Sequence, residues 1–506
     1  MDHDNMRYNY IVCHDNNRVI GCNGKQHLMA KDDLKLFNEI TCEQYFKNSI
    51  NMVVMGRKTW QSLPDKFSPL RGRINIILSR DIGFHDEISR GQYRDFVYVI
   101  SNIHEIHNIY LEFNILKGLP IGKIFIIGGE EIYKLALASD VPSDLFYVGK
   151  FDHSLQIDNM YSKVNIARFP NLNDLKEDIT FYKTIAKKDM GTLIYNIQHD
   201  KYDFNTFPYK MDVYQNDIYT NKEEQQYLEL LEEILKSNNV SDTRNGKTLS
   251  IFGGKMVFDL SNGKIPLLTT KQVYWKTILK ELIWFISGST DNAVLQKQNV
   301  KIWNGNASKE FIESQGLPYE ENDLGPIYGF QWRHFGADYC GTAADYSGKG
   351  FDQLAWVINE IKTNPSSRRL ILNAWNAGDI GKMVLPPCHL MVQFNVNEGY
   401  LNGQMYQRSG DMFLGVPFNI ASYSFLIIMI AHITGLKPGK FIHILGDCHI
   451  YSEHLEQVLI QLRRVPQDFP NIKVSGKIDS IEDFKVEDFT ISDYKYYPKI
   501  AGRMIA

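Results

Sequence analysis

The 506-residue chain is 44% hydrophobic and 23% charged, with 36 Gly and 17 Pro, which is ordinary globular usage for about three domains and excludes collagen-like or low-complexity structure. A formal net charge of −4 supplies no basic excess that would point to nucleic acid or a membrane surface. Six cysteines without a C-x-x-C pair exclude a disulfide scaffold and predict a reduced, cytoplasmic protein.

The first five residues are polar and lack the apolar core of a signal peptide. Val19-Ile20-Gly21 leads into a Gly/Asn turn, after which residues 31–37 read as a helix. Asp33 and Phe37, four apart, share a face of it. A carboxyl on an apolar helix face can hydrogen-bond a heterocycle and keep a raised pKa for proton transfer. The plain alternative is favourable charge in a helix's first turn.

Apolar runs at 51–56, 74–78, 96–100 and 123–127 each end at a turn or polar residue. Runs of that length, separated by helix-length intervals, predict an α/β domain with a central, mostly parallel sheet. The turns that follow three of them carry candidate chemistry: Gly56-Arg57-Lys58-Thr59, Ser79-Arg80 and Gly128-Gly129-Glu130. Cations and hydroxyls at helix starts bind phosphate, and glycines let a backbone approach closely. None matches G-x-G-x-x-G, yet three such turns at strand ends together favour a phosphorylated dinucleotide.

From residue 140 to 204 the pattern becomes polar and aromatic, suiting antiparallel closing strands. Residues 200–222 are mostly polar without a clear period, which predicts the junction between a domain over 1–199 and one over 223–506. Tyr227, Leu228, Leu230, Leu231, Ile234 and Leu235 mark an amphipathic helix over 223–236, and 276–287 a second one, stopped by Gly288. The most apolar run, 425–431, is about a third of a membrane span.

In Leu385-Pro386-Pro387-Cys388-His389 two prolines rigidify the approach to a thiol. A nucleophilic cysteine needs its pKa of ~8.5 lowered by nearby positive charge, and Arg408 is a candidate. The alternative is a small buried hydrophobe. A zinc site from Cys388, His389, Cys448 and His449 lacks paired short spacings, so no metal is expected. Arginine recurs beside small polar residues at 242–244, 366–369 and 408–409, a pattern suited to a phosphate monoester, although surface ion pairing explains any single one.

Residues from about 8 to 200 resemble dihydrofolate reductase through Val19-Ile20-Gly21, the 56–60 run, Ser62-Leu63-Pro64, Pro69-Leu70-Arg71-Gly72-Arg73 and Ile127-Gly128-Gly129. The resemblance implies that Asp33 binds the pteridine and assists protonation and that Arg73 holds the glutamate carboxylate of folate. Ile11, Phe37, Leu63 and Ile127 would line the pocket. Arg57, Lys58, Thr59, Ser79 and Arg80 would grip NADPH, with Gly128 and Gly129 against the diphosphate. Two positions depart from the family pattern: the Leu-Pro-Trp before the acidic helix is Gln26-His27-Leu28, and the threonine of a later strand is Gly149.

Residues from about 223 to 506 resemble thymidylate synthase, through Leu249-Ser250-Ile251-Phe252-Gly253, Leu324-Gly325-Pro326-Ile327-Tyr328-Gly329, Pro387-Cys388-His389 and the 413–423 run. This implies an α+β domain in which Cys388 attacks C6 of dUMP, making C5 nucleophilic toward the co-substrate methylenetetrahydrofolate. Arg244, Arg408 and Ser409 would bind the phosphate, joined by Arg368 and Arg369 of a partner subunit in a homodimer formed through this domain. Asn419 would read the uracil edge, and His449 and Tyr451 the deoxyribose hydroxyl, with His389 among the substrate-binding residues. Glu281 and Tyr328 would organise water for proton transfer, while Trp303 and Asp411 contact the folate and residues 504–506 close over the site. Asn419 separates this family from deoxycytidylate hydroxymethylase, which carries an acidic residue there, because an amide pairs with both uracil N3–H and O4.

In this order the halves resemble the bifunctional enzyme that makes dTMP and reduces the dihydrofolate released. Two rivals are a riboflavin-pathway reductase, disfavoured by Asp33 with Arg73, and a non-catalytic folate- or nucleotide-binding regulator, disfavoured by Cys388, Glu281 and Asp33. Neither nucleic acid nor a membrane is expected as a partner.

Overall fold

The computed structural model describes residues 6–45, 48–90, 96–113, 117, 119–155, 165–175, 179–196, 201–216, 221–237, 239–243 and 246–503. The chain forms two units, Met1–Thr220 and Asn221–Ala506.

The first unit is built on a nine-stranded sheet. Its strands are β1 (Tyr8–His14), β2 (Leu28–Ala30), β3 (Ile50–Gly56), β4 (Arg73–Leu78), β5 (Val97–Ile100), β6 (Ile121–Gly128), β7 (Ser143–Phe151), β8 (Ile179–Asn196) and β9 (Lys201–Asn216). Their spatial order is β2-β8-β9-β7-β1-β6-β3-β4-β5. The pairings among β1, β3, β4, β5, β6 and β7 are parallel, whereas β9–β7, β8–β9 and β2–β8 are antiparallel. All six residues of β4 are buried, as expected for a strand covered on both faces. The helices that follow strand ends and carry candidate site residues or flank them are α1 (Lys31–Cys42), α2 (Arg57–Ser62) and α3 (Glu130–Leu137).

The predicted junction at 200–222 is corrected by this topology. Residues 201–216 are β9, which pairs with β8 along its whole length and inserts beside β7 from Tyr209 to Gln215. The segment reads as aperiodic because Tyr202, Phe204, Phe207 and Pro208 are mixed with polar residues and stay exposed or partly exposed, and a regular buried alternation begins only at Tyr209, where β9 is also paired with β7. The boundary falls at 220/221.

The second unit opens with α4 (Lys222–Lys236), whose cap, Asn221, accepts hydrogen bonds from the Glu223 and Glu224 amides. Its six-stranded mixed sheet contains β10 (Val240–Thr243), β11 (Gly246–Asp259), β12 (Ile371–Asn373), β13 (His389–Asn397), β14 (Tyr400–Asp411) and β15 (Lys437–Tyr451), in the order β10-β11-β15-β14-β13-β12. Only β14 and β15 pair in parallel. Helices α5 (Trp275–Ile286) and α6 (Tyr328–His334) carry site residues, and α7 (Gly415–Thr434) packs on β14 and β15. The apolar run at 425–431 is thus the middle of a 20-residue helix of mean hydropathy 1.7, long enough to cross a bilayer on length and composition. Its side chains from Ile420 to Ala431 are buried in this unit's core, which is where an all-round apolar helix of a globular domain belongs.

Candidate active sites

In the first unit the start of α1 sets Asp33 against Cys13 near the end of β1 and Tyr209 in the middle of β9. Asp33 is buried, and its Oδ1 accepts a hydrogen bond from the Tyr209 hydroxyl at 2.6 Å. Burial pushes the carboxyl above its ordinary value, opposed by hydrogen bonds from Tyr209 and the Cys13 thiol. Ile11 is buried on β1, while Phe37, Leu63 and Ile127 are partly exposed, an edge on which an aromatic ligand could rest. Arg73 is 4% exposed; its guanidinium donates to Thr41 Oγ1, Asn38 Oδ1 and the Arg71 carbonyl, and lies 5.8 Å from the Phe37 ring centroid. No carboxylate pairs with it among the described residues. A buried cation held only by neutral acceptors suits an incoming carboxylate.

On the neighbouring strand ends, Gly128 has φ +105° and a Cβ there would come within 2.8 Å of the Tyr133 ring, so only glycine fits. A Cβ on Gly129 would stand 3.6 Å from Thr59 Oγ1, which brings the two turns together as one cradle. Lys58 and Arg80 are exposed and Ser79 is partly exposed. Arg57 is ion-paired with Asp81, so a phosphate would have to compete for it. The cradle and its cations fit a phosphorylated dinucleotide.

In the second unit, Cys388 immediately precedes β13. Its amide donates to the Tyr328 hydroxyl at 2.8 Å, fixing the backbone at the thiol. Arg408 donates to the Pro387 carbonyl at 3.0 Å and the Pro386 carbonyl at 2.9 Å, and its Nη2 lies 3.9 Å from Cys388 Sγ. The prolines therefore anchor the cation as well as the thiol. The expected lowering of the Cys388 pKa is corrected in this state: burial pushes the thiol up, and Arg408 opposes the rise without outweighing it.

Glu281 on α5 accepts from the Trp303 indole N–H at 2.8 Å, and burial lifts its pKa to about 7. A carboxyl poised there can hold or release a proton near neutrality. Trp303 is thus committed to Glu281 at its nitrogen, and its buried ring packs edge to face on Tyr328, with centroids 6.0 Å apart. His389 meets the Tyr423 hydroxyl at 2.9 Å and stacks on Tyr328, and burial keeps it neutral with a pKa of about 3. The Asn419 Oδ1 accepts from Gln407 Nε2 at 3.0 Å, and Gln407 Oε1 lies 2.9 Å from His443 Nε2. This network fixes which end of the Asn419 amide is oxygen. The two His449 and Tyr451 rings meet edge to face, and His449 Nδ1 is 2.7 Å from Asp447. Ser409 is partly exposed beside this row. Asp411 Oδ1 accepts from the amides of Phe413 and Leu414, a turn-capping role the sequence did not show.

Arg368 and Arg369 are exposed, and neither side chain makes a hydrogen bond or ion pair among the described residues. Arg244 and residues 504–506 lie outside the described residues. Sequence reasoning missed Tyr209, Gln407, His443 and Tyr423. Only tertiary contact marks them, since each acts by holding another side chain. No group of three metal-ligating side chains occurs among the described residues.

A family model described as thymidylate synthase matches residues 225–506, and one described as dihydrofolate reductase matches residues 7–188. The chain is 41% identical to bifunctional dihydrofolate reductase-thymidylate synthase 2 of Arabidopsis thaliana over 98% of its own length and 88% of that protein's. A Zea mays relative of the same description is 39% identical over 98% and 96% of the two chains, and one from Plasmodium chabaudi 40% identical over 90% and 83%.

Proposed function

The chain belongs to the bifunctional dihydrofolate reductase–thymidylate synthase family, and from that premise we propose how its own residues divide the two reactions. The protein reduces dihydrofolate with NADPH and converts dUMP to dTMP with methylenetetrahydrofolate. The observation that carries the residue assignment is the Cys388 thiol 3.9 Å from an anchored Arg408, with its amide on the Tyr328 hydroxyl and a Glu281 carboxyl in the same unit poised near pH 7.

In the synthase unit the Cys388 thiolate adds to C6 of the pyrimidine, so that C5 becomes the carbon nucleophile that takes up the one-carbon unit. The folate gives both that carbon and a hydride, leaving as dihydrofolate, and the sulfur departs when the product forms. Arg408 supports the thiolate and, with Ser409, receives the phosphate. Asn419 pairs with N3–H and O4 of uracil, and His449 with Tyr451 meets the sugar hydroxyl. Glu281 moves protons through water organised with Tyr328. Trapping with 5-fluoro-dUMP and methylenetetrahydrofolate, followed by peptide mapping, tests this. The adduct is expected on Cys388, and an adduct on any other residue rejects the assignment.

In the reductase unit NADPH supplies the hydride. Lys58, Thr59, Ser79, Arg80 and Arg57 hold its phosphates, with Gly128 and Gly129 close to the diphosphate. Asp33 binds the pteridine and assists protonation, Ile11, Phe37, Leu63 and Ile127 flank the ring, and Arg73 takes the glutamate carboxylate.

The synthase unit works as a homodimer in which Arg368 and Arg369 complete the partner's phosphate site. Their exposed, unpaired guanidinium groups support this, as does Phe252, 84% exposed on β11, an apolar surface that association would cover. Mixing Cys388→Ser subunits with Arg368→Ala/Arg369→Ala subunits is expected to restore up to about a quarter of parental synthase activity, through the one site that keeps both features. Verified heterodimers with no recovery would reject the shared site. Six free cysteines support a cytoplasmic setting.

A further inference from the structure

We infer that Tyr209 is the positioning residue for the Asp33 carboxyl, replacing the hydroxyl that the family pattern places at 149, and that residue 149 is glycine to make room for the phenol. The inference rests on the assignment of Asp33 to proton handling. Strand β9 lies beside β7 with Tyr209 opposite Phe151 and Met211 opposite Gly149. The Tyr209 ring packs on Phe151, with centroids 4.8 Å apart, and its hydroxyl reaches across Gly149 to Asp33 Oδ1. A Cβ on Gly149 would stand 2.7 Å from the Tyr209 Oη and 3.1 Å from its Cε2. A side chain on β7 and the phenol from β9 therefore cannot occupy this space together. The backbone of Gly149 carries no positive φ, so conformational freedom does not explain the glycine, whereas the neighbouring ring does.

The phenol fixes one carboxyl oxygen as an acceptor and so sets the plane of the group. Tyr209 is 1% exposed and Asp33 6%, so water competes little for this bond. A donor to the carboxylate favours its ionised form against burial. The Cys13 thiol acts in the same direction, from the β1 residue paired with Gly149. Tyr209 thus tunes the pH range over which Asp33 keeps its proton.

The test is single-turnover hydride transfer against pH in the full chain. Tyr209→Phe is expected to move the pH midpoint upward by about one unit, and the double variant Tyr209→Ala/Gly149→Thr, in which the ring that crowds a side chain at 149 is gone, is expected to return the midpoint toward the parent's. A midpoint unchanged in a Tyr209→Phe protein that binds NADPH as the parent does overturns the inference, and a double variant without recovery overturns the replacement of one hydroxyl by the other. Should Tyr209→Phe lose NADPH binding, Gly149→Ala, whose Cβ displaces the phenol, is read in the same way. Asp33→Asn separates the two layers: a parental rate and profile there would reject the Asp33 assignment itself, whereas loss of the titration with an unmoved Tyr209→Phe midpoint rejects only the role of Tyr209.

Discussion

Cys388→Ser is expected to lower dTMP formation by about 10⁴-fold or more, while the same chain supplied with dihydrofolate oxidises NADPH at the parent rate. The exchange is nearly isosteric and keeps the Cys388 amide bond to Tyr328, so the site should assemble. What changes is the acid: an aliphatic hydroxyl is far harder to ionise than a thiol, and one guanidinium 3.9 Å away cannot close that gap. Burial already resists ionisation of the native thiol, so the serine would stay protonated. Measuring methyl transfer to radiolabelled dUMP checks it, and a rate within tenfold of the parent would mean that another group is the nucleophile.

Asp33→Asn is expected to slow hydride transfer by roughly 10²–10⁴-fold, the usual span for a positioned acid, with synthase turnover unaffected. The amide can still accept the Tyr209 hydrogen bond, so packing around α1 should persist and the loss should be chemical. The pH dependence gives the sign. Burial raises the folded-state pKa of Asp33, so in the parent the protonated carboxyl is present at low pH and disappears as pH rises through that value. Activity should therefore fall along the alkaline limb in the parent, and that titration should be absent in the variant. Equal rates at pH 6 in both proteins would remove Asp33 from the mechanism.

The two reactions differ in how strongly their sites are anchored in sequence. Around Cys388 the prolines and the following histidine are adjacent in sequence and the Arg408-Ser409 pair lies only 20 residues on, so the nucleophile, its turn and its cation come from two short segments. Around Asp33 much of the support comes from distant strands: Tyr209 lies 176 residues away in sequence. The four apolar runs, the helix carrying Asp33 and Phe37, and the helix stopped by Gly288 were legible, since periodicity and breaker residues act locally. The junction was not. The first half of strand β9 is largely exposed, and its membership of the first unit depends on a partner strand that local pattern does not reveal.

By itself the sequence determined the chemistry available: a thiol behind two prolines, clustered arginines for a phosphate, glycine turns at parallel strand ends, and an acidic residue on an apolar helix face. Tertiary structure alone decided the state of those groups. It set burial against Arg408 at the thiol, lifted Glu281 toward neutrality, left Arg73 without a carboxylate partner among the described residues, and laid the Tyr209 phenol in the space above Gly149. Residue type sets what a group can donate or accept, whereas desolvation and the hydrogen bonds that orient it depend on neighbours brought together only by folding.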